Sequence, residues 1–513
     1  MILKAFLTVG ALTGASRILG FLRDISLASF FGTTAFADAF VMAFKLPNLF
    51  RRLFAEGAYT AAFVPIYAST LSEKGQEEAT LFANRSSAAL TLFLSLLSVF
   101  AVVGMPYIVQ VIAPGFVDDQ EKFNLTVDLS RIMFIYLLFM ALTAHLSGIL
   151  NSHKRFAVAA AAPVVLNLVF LVALLIIIPF FYESIFVLAY AVAFAGFAQF
   201  LLVFFAVRRI PIKLAVVKPR LDRAVKKLFR LMGPGLVTGG AQQLNLLVGS
   251  AIASLQAGAA SYLYYADRVY QLPLGLVGVA LGVVLLPQLS SLFREDNREQ
   301  ANNLLNSGIE LALLFTLPAA VALFVIAEPI IIGLFERGAF DRGSSIATSS
   351  ALMAYAIGLP SFVLAKVLAP GFFAQQNTKT PMYYALWTIA LNLILALVLG
   401  YKWGFVGIAL ATSIAGWVNA FLLALGLYKR RLWKLSKLLM LQTLKLSGCS
   451  LAMGLVLYLA LPWFQFWFEG SAFSKITGLL ILVSIGAILF FALTLITRTT
   501  SPRKLKAQWS KRG

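Results

Sequence analysis

Clustered charge inside an apolar segment is the most suggestive chemical feature of this sequence. Residues 1–68 are apolar enough to form two membrane-spanning helices. The charged residues in their interior are Arg17, Arg23, Asp24, Asp38, Lys45, Arg51, Arg52 and Glu56. A charge near the bilayer centre costs roughly 2.5–3.5 kcal/mol on insertion scales, so a group of cations is retained only where it faces a wet, polar interior. The cluster therefore predicts a binding site for an anionic ligand.

The spacing in the second apolar stretch places its polar residues together. Residues seven apart return to nearly the same face of a helix. That face is predicted to hold Asp38, Lys45 and Arg52, with Asn48 and Glu56 beside it. Arginine suits phosphate because its planar fork donates two parallel hydrogen bonds. The neighbouring acids would orient the arginines and offset their repulsion in the empty site.

The chain as a whole has the composition of a multi-pass membrane protein. Its 513 residues are 60% hydrophobic and 12% charged, whereas soluble domains are about 25% charged. Apolar stretches long enough to span a bilayer lie near 3–31, 37–68, 81–112, 128–150, 156–181, 184–207, 224–255, 262–293, 302–335, 346–374, 381–400, 403–428, 438–462 and 474–497. One cysteine and two histidines leave too few ligands for a disulfide framework or a metal centre. We predict about fourteen spans, no metal, no cofactor and no catalytic residue.

Positive charge is concentrated in a few connecting segments. Residues 208–230 hold nine Lys and Arg against one acid, and residues 429–437 and the tail from Arg498 hold no acid. Such segments stay in the cytoplasm, which places both termini there. The net charge of +21 is thus attributed to topology, and we expect no nucleic-acid partner.

A weak internal repeat relates the two halves of the chain. The segment "ADAF…KLPNL" begins at Ala37, and "ADRVYQLPLG" begins at Ala266. Two six-helix lobes in the same orientation follow, since six helices is an even number. The predicted all-α fold has lobes at 1–210 and 221–430 with a central cationic cavity between them, and two further helices with a basic tail at 431–513. Asp267 then corresponds to Asp38, and Arg268 is predicted to face the other lobe's arginines.

Several absences and lone residues bear on mechanism. The chain has no G-x-x-x-x-G-K-[ST] motif, so ATP hydrolysis is not expected. Transport would then need the membrane potential, an ion gradient or the substrate gradient. Lone amides in apolar stretches, such as Asn167, are interpreted as helix–helix hydrogen bonds.

Five stretches resemble the MurJ (MviN) family of lipid II flippases, within an exporter superfamily that includes multidrug (MATE) and polysaccharide transporters. They are "SRILGFLRD" at 16–24, the stretch at 37–67, "APGF" at 113–116, the stretch at 264–290 and "KVLAPGFFAQQNTKTP" at 366–381. The resemblance implies a bacterial inner-membrane protein that moves lipid II, an undecaprenyl-diphosphate-linked disaccharide-peptide, by alternating access. It implies membrane lipids and cell-wall synthesis proteins as further partners.

The resemblance also implies that the two lobes form a V around the cationic cavity, and it implies site residues. Diphosphate binding falls on Arg17, Arg23, Arg51, Arg52 and Arg268. Ser16, Asp38, Glu56 and Asp267 match supporting polar positions of the family, and the charge pattern and helical spacing add Asp24, Lys45 and Asn48 as further supporting positions. Some members of the family build a sodium site on a carboxylate of the seventh helix, but residues 231–255 hold no Asp or Glu. The membrane potential is therefore the simpler expected driver, with a monovalent ion gradient as the other.

Three other readings stay open from the residues. A MATE-like cation or drug antiporter would need unpaired acids in its cavity, whereas arginines dominate here. A polysaccharide-lipid flippase would share the same chemistry and differ only in its substrate. A membrane scaffold that recruits cell-wall enzymes would not need the cationic cavity.

Overall fold

The computed structural model describes residues 2–54, 58–181 and 184–499, and all regular elements within these ranges are helical. The helices of the first part are α1 Ile2–Phe31, α2 Ala35–Phe54, α3 Ala58–Val103, α4 Met105–Ile112, α5 Gln120–Phe134, α6 Tyr136–Ser152, α7 Phe156–Val172, α8 Ser184–Val207 and α9 Arg223–Ser254. Those of the second part are α10 Ala259–Pro273, α11 Val279–Arg294, α12 Arg298–Val325, α13 Ala327–Phe335, α14 Arg342–Phe373, α15 Lys379–Lys429, α16 Lys437–Glu469 and α17 Ala472–Ile496.

Short polar side chains fix where several of these helices begin. Asp119, Asp222 and Asp341 each accept a hydrogen bond from the backbone N–H three residues later, at 3.0, 2.9 and 2.7 Å. Such caps satisfy amides that have no partner within the helix. The capping residues therefore fix the residue at which each of these helices begins.

Nine segments of the described chain are long and apolar enough to cross a membrane. Two of them, Tyr59–Val103 and Lys379–Lys429, have 45 and 51 residues, far more than the 20 or so that one crossing needs. Each is broken at a glycine with positive φ, 82° at Gly75 and 58° at Gly404, a conformation that other residues rarely adopt. The chain is an all-helical multi-pass membrane protein, as expected, while the count of fourteen spans stays a prediction.

Residues Met1–Ser261 form one compact unit, in which α1 packs on α7, α2 on α5, and α3 on α6 and α9. Its core contains an aromatic stack along α3, in which the Phe63 ring lies 5.6 Å from Tyr59 and 5.5 Å from Tyr67. The Tyr59 hydroxyl is 2.6 Å from His145 Nδ1 of α6. This packing gives α1, α2 and α7 a rigid support.

Residues Tyr262–Gly513 form the second unit, in which α14 packs against α12, α13 and α15, and α16 packs against α12 and α17. Small residues let α14 and α15 approach closely, as membrane helices commonly do. Ser413 of α15 donates a hydrogen bond to the Ala354 carbonyl at 2.6 Å. This division keeps α9 with the first unit, and the lobe boundaries at 210, 221 and 430 stay predictions.

Candidate anion-binding site

An arginine of α1 is paired with the carboxylate of the next residue. Arg23 Nε and Nη2 both donate to Asp24 Oδ1, at 3.0 and 2.8 Å. The two residues are 8% and 2% exposed, so the pair lies inside the first unit. A buried guanidinium is tolerated where a carboxylate and further hydrogen bonds replace its water. The two residues are adjacent in α1, and the pair they form is buried rather than at the surface.

An amide from α7 connects Arg23 to the middle of α1. Asn167 Oδ1 accepts from Arg23 Nη1 at 3.2 Å. The amide nitrogen donates to the Ser16 carbonyl at 2.8 Å and to the Ser16 hydroxyl at 3.3 Å. Asn167 does bond to a neighbouring helix, but the sequence analysis did not anticipate that its partner there is Arg23. The available signal was a lone amide in an apolar stretch.

An aromatic ring on the same face of α7 lies against the arginine. Arg23 Cζ is 5.1 Å from the centroid of the Phe170 ring, and Phe170 in turn packs edge-on against Phe40 and Phe44 of α2. Residues 167 and 170 share a face because they are three apart in a helix. A cation over an aromatic ring gains about 0.5–2 kcal/mol. The Arg23 guanidinium is therefore oriented by a carboxylate, an amide and a ring.

Three polar residues of α2 are half-buried and bonded locally or to α9. Lys45 Nζ donates to Ser250 Oγ of α9 at 2.7 Å. Arg51 Nε donates to Asn48 Oδ1 at 3.3 Å, the i, i+3 distance along one helix face. Arg52 is also half-buried. These residues of α2 are thus partly accessible, and the polar face that their spacing indicates stays a prediction.

Asp38 has a different environment from the one expected. It is completely buried, and its Oδ2 accepts from Lys122 Nζ of α5 at 2.8 Å and from the Gly258 N–H at 2.9 Å. Its Oδ1 accepts from the Ser261 N–H and hydroxyl, at 3.0 and 2.7 Å. The expectation that Asp38 orients a cavity arginine is wrong in this structure. The covering residues come from α5, from Gly258 just before α10 and from Ser261 in the first turn of α10, which helical spacing cannot reveal.

The remaining predicted residues of the first unit are less constrained. Arg17 is exposed on α1, and Ser16 is partly buried beside it. Glu56 lies outside the described residues. Arg17 is thus exposed on α1 next to Ser16, the residue that Asn167 contacts.

Asp267 and Arg268 belong to the second unit, on α10. Gln271 Nε2 donates to Asp267 Oδ2 one helical turn away, and Arg268 Cζ is 4.7 Å from the centroid of the Tyr264 ring. Both residues are half-buried. Both arginines lie against an aromatic ring. The ring beside Arg268 is one turn away in the same helix, whereas the ring beside Arg23 belongs to the neighbouring helix α7. Its predicted convergence with the arginines of the first unit stays a prediction.

Fold and site together define a multi-pass helical membrane protein that holds oriented cations within its helices. A model of the family described as lipid II flippase MurJ matches residues 27–478. The chain belongs to the MurJ lipid II flippase family.

Individual relatives agree with this assignment. A protein of Rhizobium tropici described as a probable lipid II flippase MurJ is 43% identical over 498 residues, covering 96% of this chain and 93% of the relative. The lipid II flippase MurJ of Burkholderia cenocepacia is 36% identical over 436 residues, covering 84% of each.

Solved structures show the same architecture. A lipid II flippase MurJ in an inward-closed conformation has a TM-score of 0.79 at 28% identity, covering 96% of this chain and 99% of that one. An inward-facing MATE-family multidrug transporter of the MOP superfamily has a TM-score of 0.69 at 16% identity, covering 81% and 94%. At that identity the MATE likeness concerns the fold alone.

Proposed function

We propose that this protein flips lipid II from the cytoplasmic to the outer leaflet of a bacterial inner membrane. Membership of the MurJ family supports the substrate, and the environment of Arg23 supports the mode of binding. A guanidinium already oriented by Asp24, Asn167 and Phe170 loses little freedom when it binds a diphosphate. That preorganised arginine is the observation on which the proposed mechanism depends.

The diphosphate would be bound by several guanidinium groups in turn. We assign this role to Arg17, Arg23, Arg51, Arg52 and Arg268. The exposed Arg17 supports an initial contact, while the buried Arg23 supports a desolvated one, in which charge-assisted hydrogen bonds are strongest. The lipid tail would stay in the bilayer while the head group crosses by alternating access.

Orientation and energy supply complete the proposal. The basic segments at 208–230 and 429–437 support cytoplasmic termini through the positive-inside rule. A membrane potential contributes about 2.3 kcal/mol per charge per 100 mV, so it can drive a cycle in which charged groups move across the field. A monovalent ion gradient is the competing driver, and dissipating each separately in reconstituted vesicles distinguishes them.

The decisive experiment replaces a depleted native flippase in cells with this protein and measures lipid II accessible at the outer leaflet. We expect the wild-type chain to restore accessibility and Arg23→Ala to fail at equal expression. Arg298→Ala is the matched control, because Arg298 is an exposed arginine paired with Asp296 on a loop. If the wild-type chain leaves accessibility unchanged, or Arg23→Ala restores it fully, the proposal is wrong.

A further inference from the structure

The segment that connects α8 to α9 is fixed to the first unit although it is not helical. We call residues 210–222 the strap. The amide side chain of Asn84 in α3 makes two hydrogen bonds to the backbone of the strap. Its Nδ2 donates to the Lys213 carbonyl at 3.0 Å, and its Oδ1 accepts from the Ala215 N–H at 3.3 Å. Ile210 and Ile212, at the start of the strap, are buried. The strap therefore presents a defined outer surface.

Asp222, the single acid between residues 208 and 230, is engaged by groups of the first unit itself. Asp222 caps α9 through the Val225 N–H and pairs with Arg85 Nη1 of α3 at 2.8 Å. Partial burial raises the pKa of the Asp222 carboxyl, but the hydrogen bonds from Val225 and Arg85 outweigh it and hold the pKa below its ordinary value. Asp222 is thus a charged anchor for the strap.

The exposed charged side chains of the strap and the adjoining helix ends are all positive. All nine Lys and Arg side chains between 208 and 230 are exposed: Arg208, Arg209, Lys213, Lys218, Arg220, Arg223, Lys226, Lys227 and Arg230. The positive-inside rule explains why such charge gathers on one side of a membrane. It does not require the apolar side chains that lie among these cations.

Two apolar residues project from the strap between the charges. Val216 is fully exposed, and Leu221 is 60% exposed. The strap begins where the apolar helix α8 ends, at Val207, which places it at the height of the lipid head groups. Apolar side chains interleaved with cations at that height are typical of an interfacial anchor on an anionic leaflet.

From these observations we propose that the strap binds anionic phospholipid head groups of the adjoining leaflet. Lys218 and Arg220 would contact the phosphates, and Val216 and Leu221 would enter the head-group layer. The elbow at residues 72–78 provides an internal contrast. It is also exposed and lies on the same predicted side, but it holds three acids and one lysine. The proposal is independent of the transported substrate.

The test places an environment-sensitive fluorophore on the strap. Val216→Cys is labelled in a Cys449→Ala background, since Cys449 is the chain's only cysteine, and the protein is reconstituted into nanodiscs. We compare phosphatidylcholine alone with a mixture containing phosphatidylglycerol. We expect a blue shift and stronger quenching by brominated lipids with phosphatidylglycerol, and both should weaken at high salt because exposed charges are screened.

Two further variants make the result specific. Lys218→Gln with Arg220→Gln should reduce the phosphatidylglycerol-dependent shift several-fold, with unchanged thermal unfolding of the purified protein. A label at Glu77→Cys on the acidic elbow should show no such shift. Emission at position 216 that is identical in both lipid mixtures, or equal responses at positions 216 and 77, would overturn the proposal. So would a phosphatidylglycerol response that the double variant retains in full.

Discussion

Two buried ion pairs of the first unit look alike in distance but differ in what surrounds them. Arg23–Asp24 and Lys122–Asp38 both join nitrogen and oxygen at 2.8 Å. The Asp38 carboxylate also accepts hydrogen bonds from the Gly258 and Ser261 amides. In the Arg23–Asp24 pair it is the cation that makes the further hydrogen bond, since Arg23 donates to Asn167 of α7.

From this comparison we propose that Lys122–Asp38 is a structural pair and Arg23–Asp24 a binding pair. The Asp38 oxygens each accept two hydrogen bonds, and the Lys122 ammonium lies 4.1 Å from the Phe116 ring centroid. Lysine carries a compact point charge, whereas arginine offers a planar fork of donors suited to phosphate. We therefore expect the Lys122–Asp38 pair to govern stability and the Arg23–Asp24 pair to govern substrate binding.

The largest expected effect comes from breaking the structural pair. Asp38→Ala leaves the Lys122 ammonium buried without its carboxylate, which typically costs about 3–5 kcal/mol. We expect a large drop in thermal stability of the purified protein, measured by unfolding in detergent. Asp38→Ala combined with Lys122→Met should recover much of that loss, because it removes the uncompensated charge. Equal stability of the single and double variants would show that the unpaired Lys122 ammonium does not cause the loss of stability.

The second prediction exchanges arginine for lysine in the binding pair. Arg23→Lys keeps the charge but loses the fork that contacts both Asp24 and Asn167. Hydrogen bonds to charged groups contribute about 1.5–3 kcal/mol each, so we expect lipid II flipping to fall by about tenfold or more. Flipping is measured as labelled lipid II that becomes accessible in reconstituted vesicles. Arg298→Lys is the control, and a fully active Arg23→Lys protein would remove the distinction between the two pairs.

Sequence reasoning located the helices and the charged residues but not their partners. Apolar stretches predicted where α8, α14 and α17 lie because bilayer thickness sets helix length. The Arg23–Asp24 pair was predictable because its members are adjacent. Helical spacing defines a face but does not say which element covers it, so Lys122, 84 residues from Asp38, stayed hidden. The same holds for Asn167, 144 residues from Arg23.

The third prediction concerns Asn167, whose replacement is expected to lower stability less than Asp38→Ala does. Asn167→Leu removes hydrogen bonds to Arg23 and Ser16 and should cost about 1–3 kcal/mol. Asn167→Asp keeps an acceptor for Arg23 but adds a second negative charge beside it. We therefore expect Asn167→Asp to lower affinity for lipid II, measured by native mass spectrometry, more than it lowers thermal stability.

A matched amide distinguishes positioning from packing. Asn392 lies in α15 of the second unit, also in an apolar helix and also buried, so Asn392→Asp introduces the same buried charge in the other unit. If Asn167 orients Arg23 for phosphate, only Asn167→Asp should lower lipid II affinity beyond its effect on stability. Equal losses of affinity from the two variants would reduce Asn167 to a packing residue. The orientation of Arg23 would then be attributed to Asp24 and Phe170 rather than to Asn167, and Arg23–Asp24 would differ less from the Lys122–Asp38 pair.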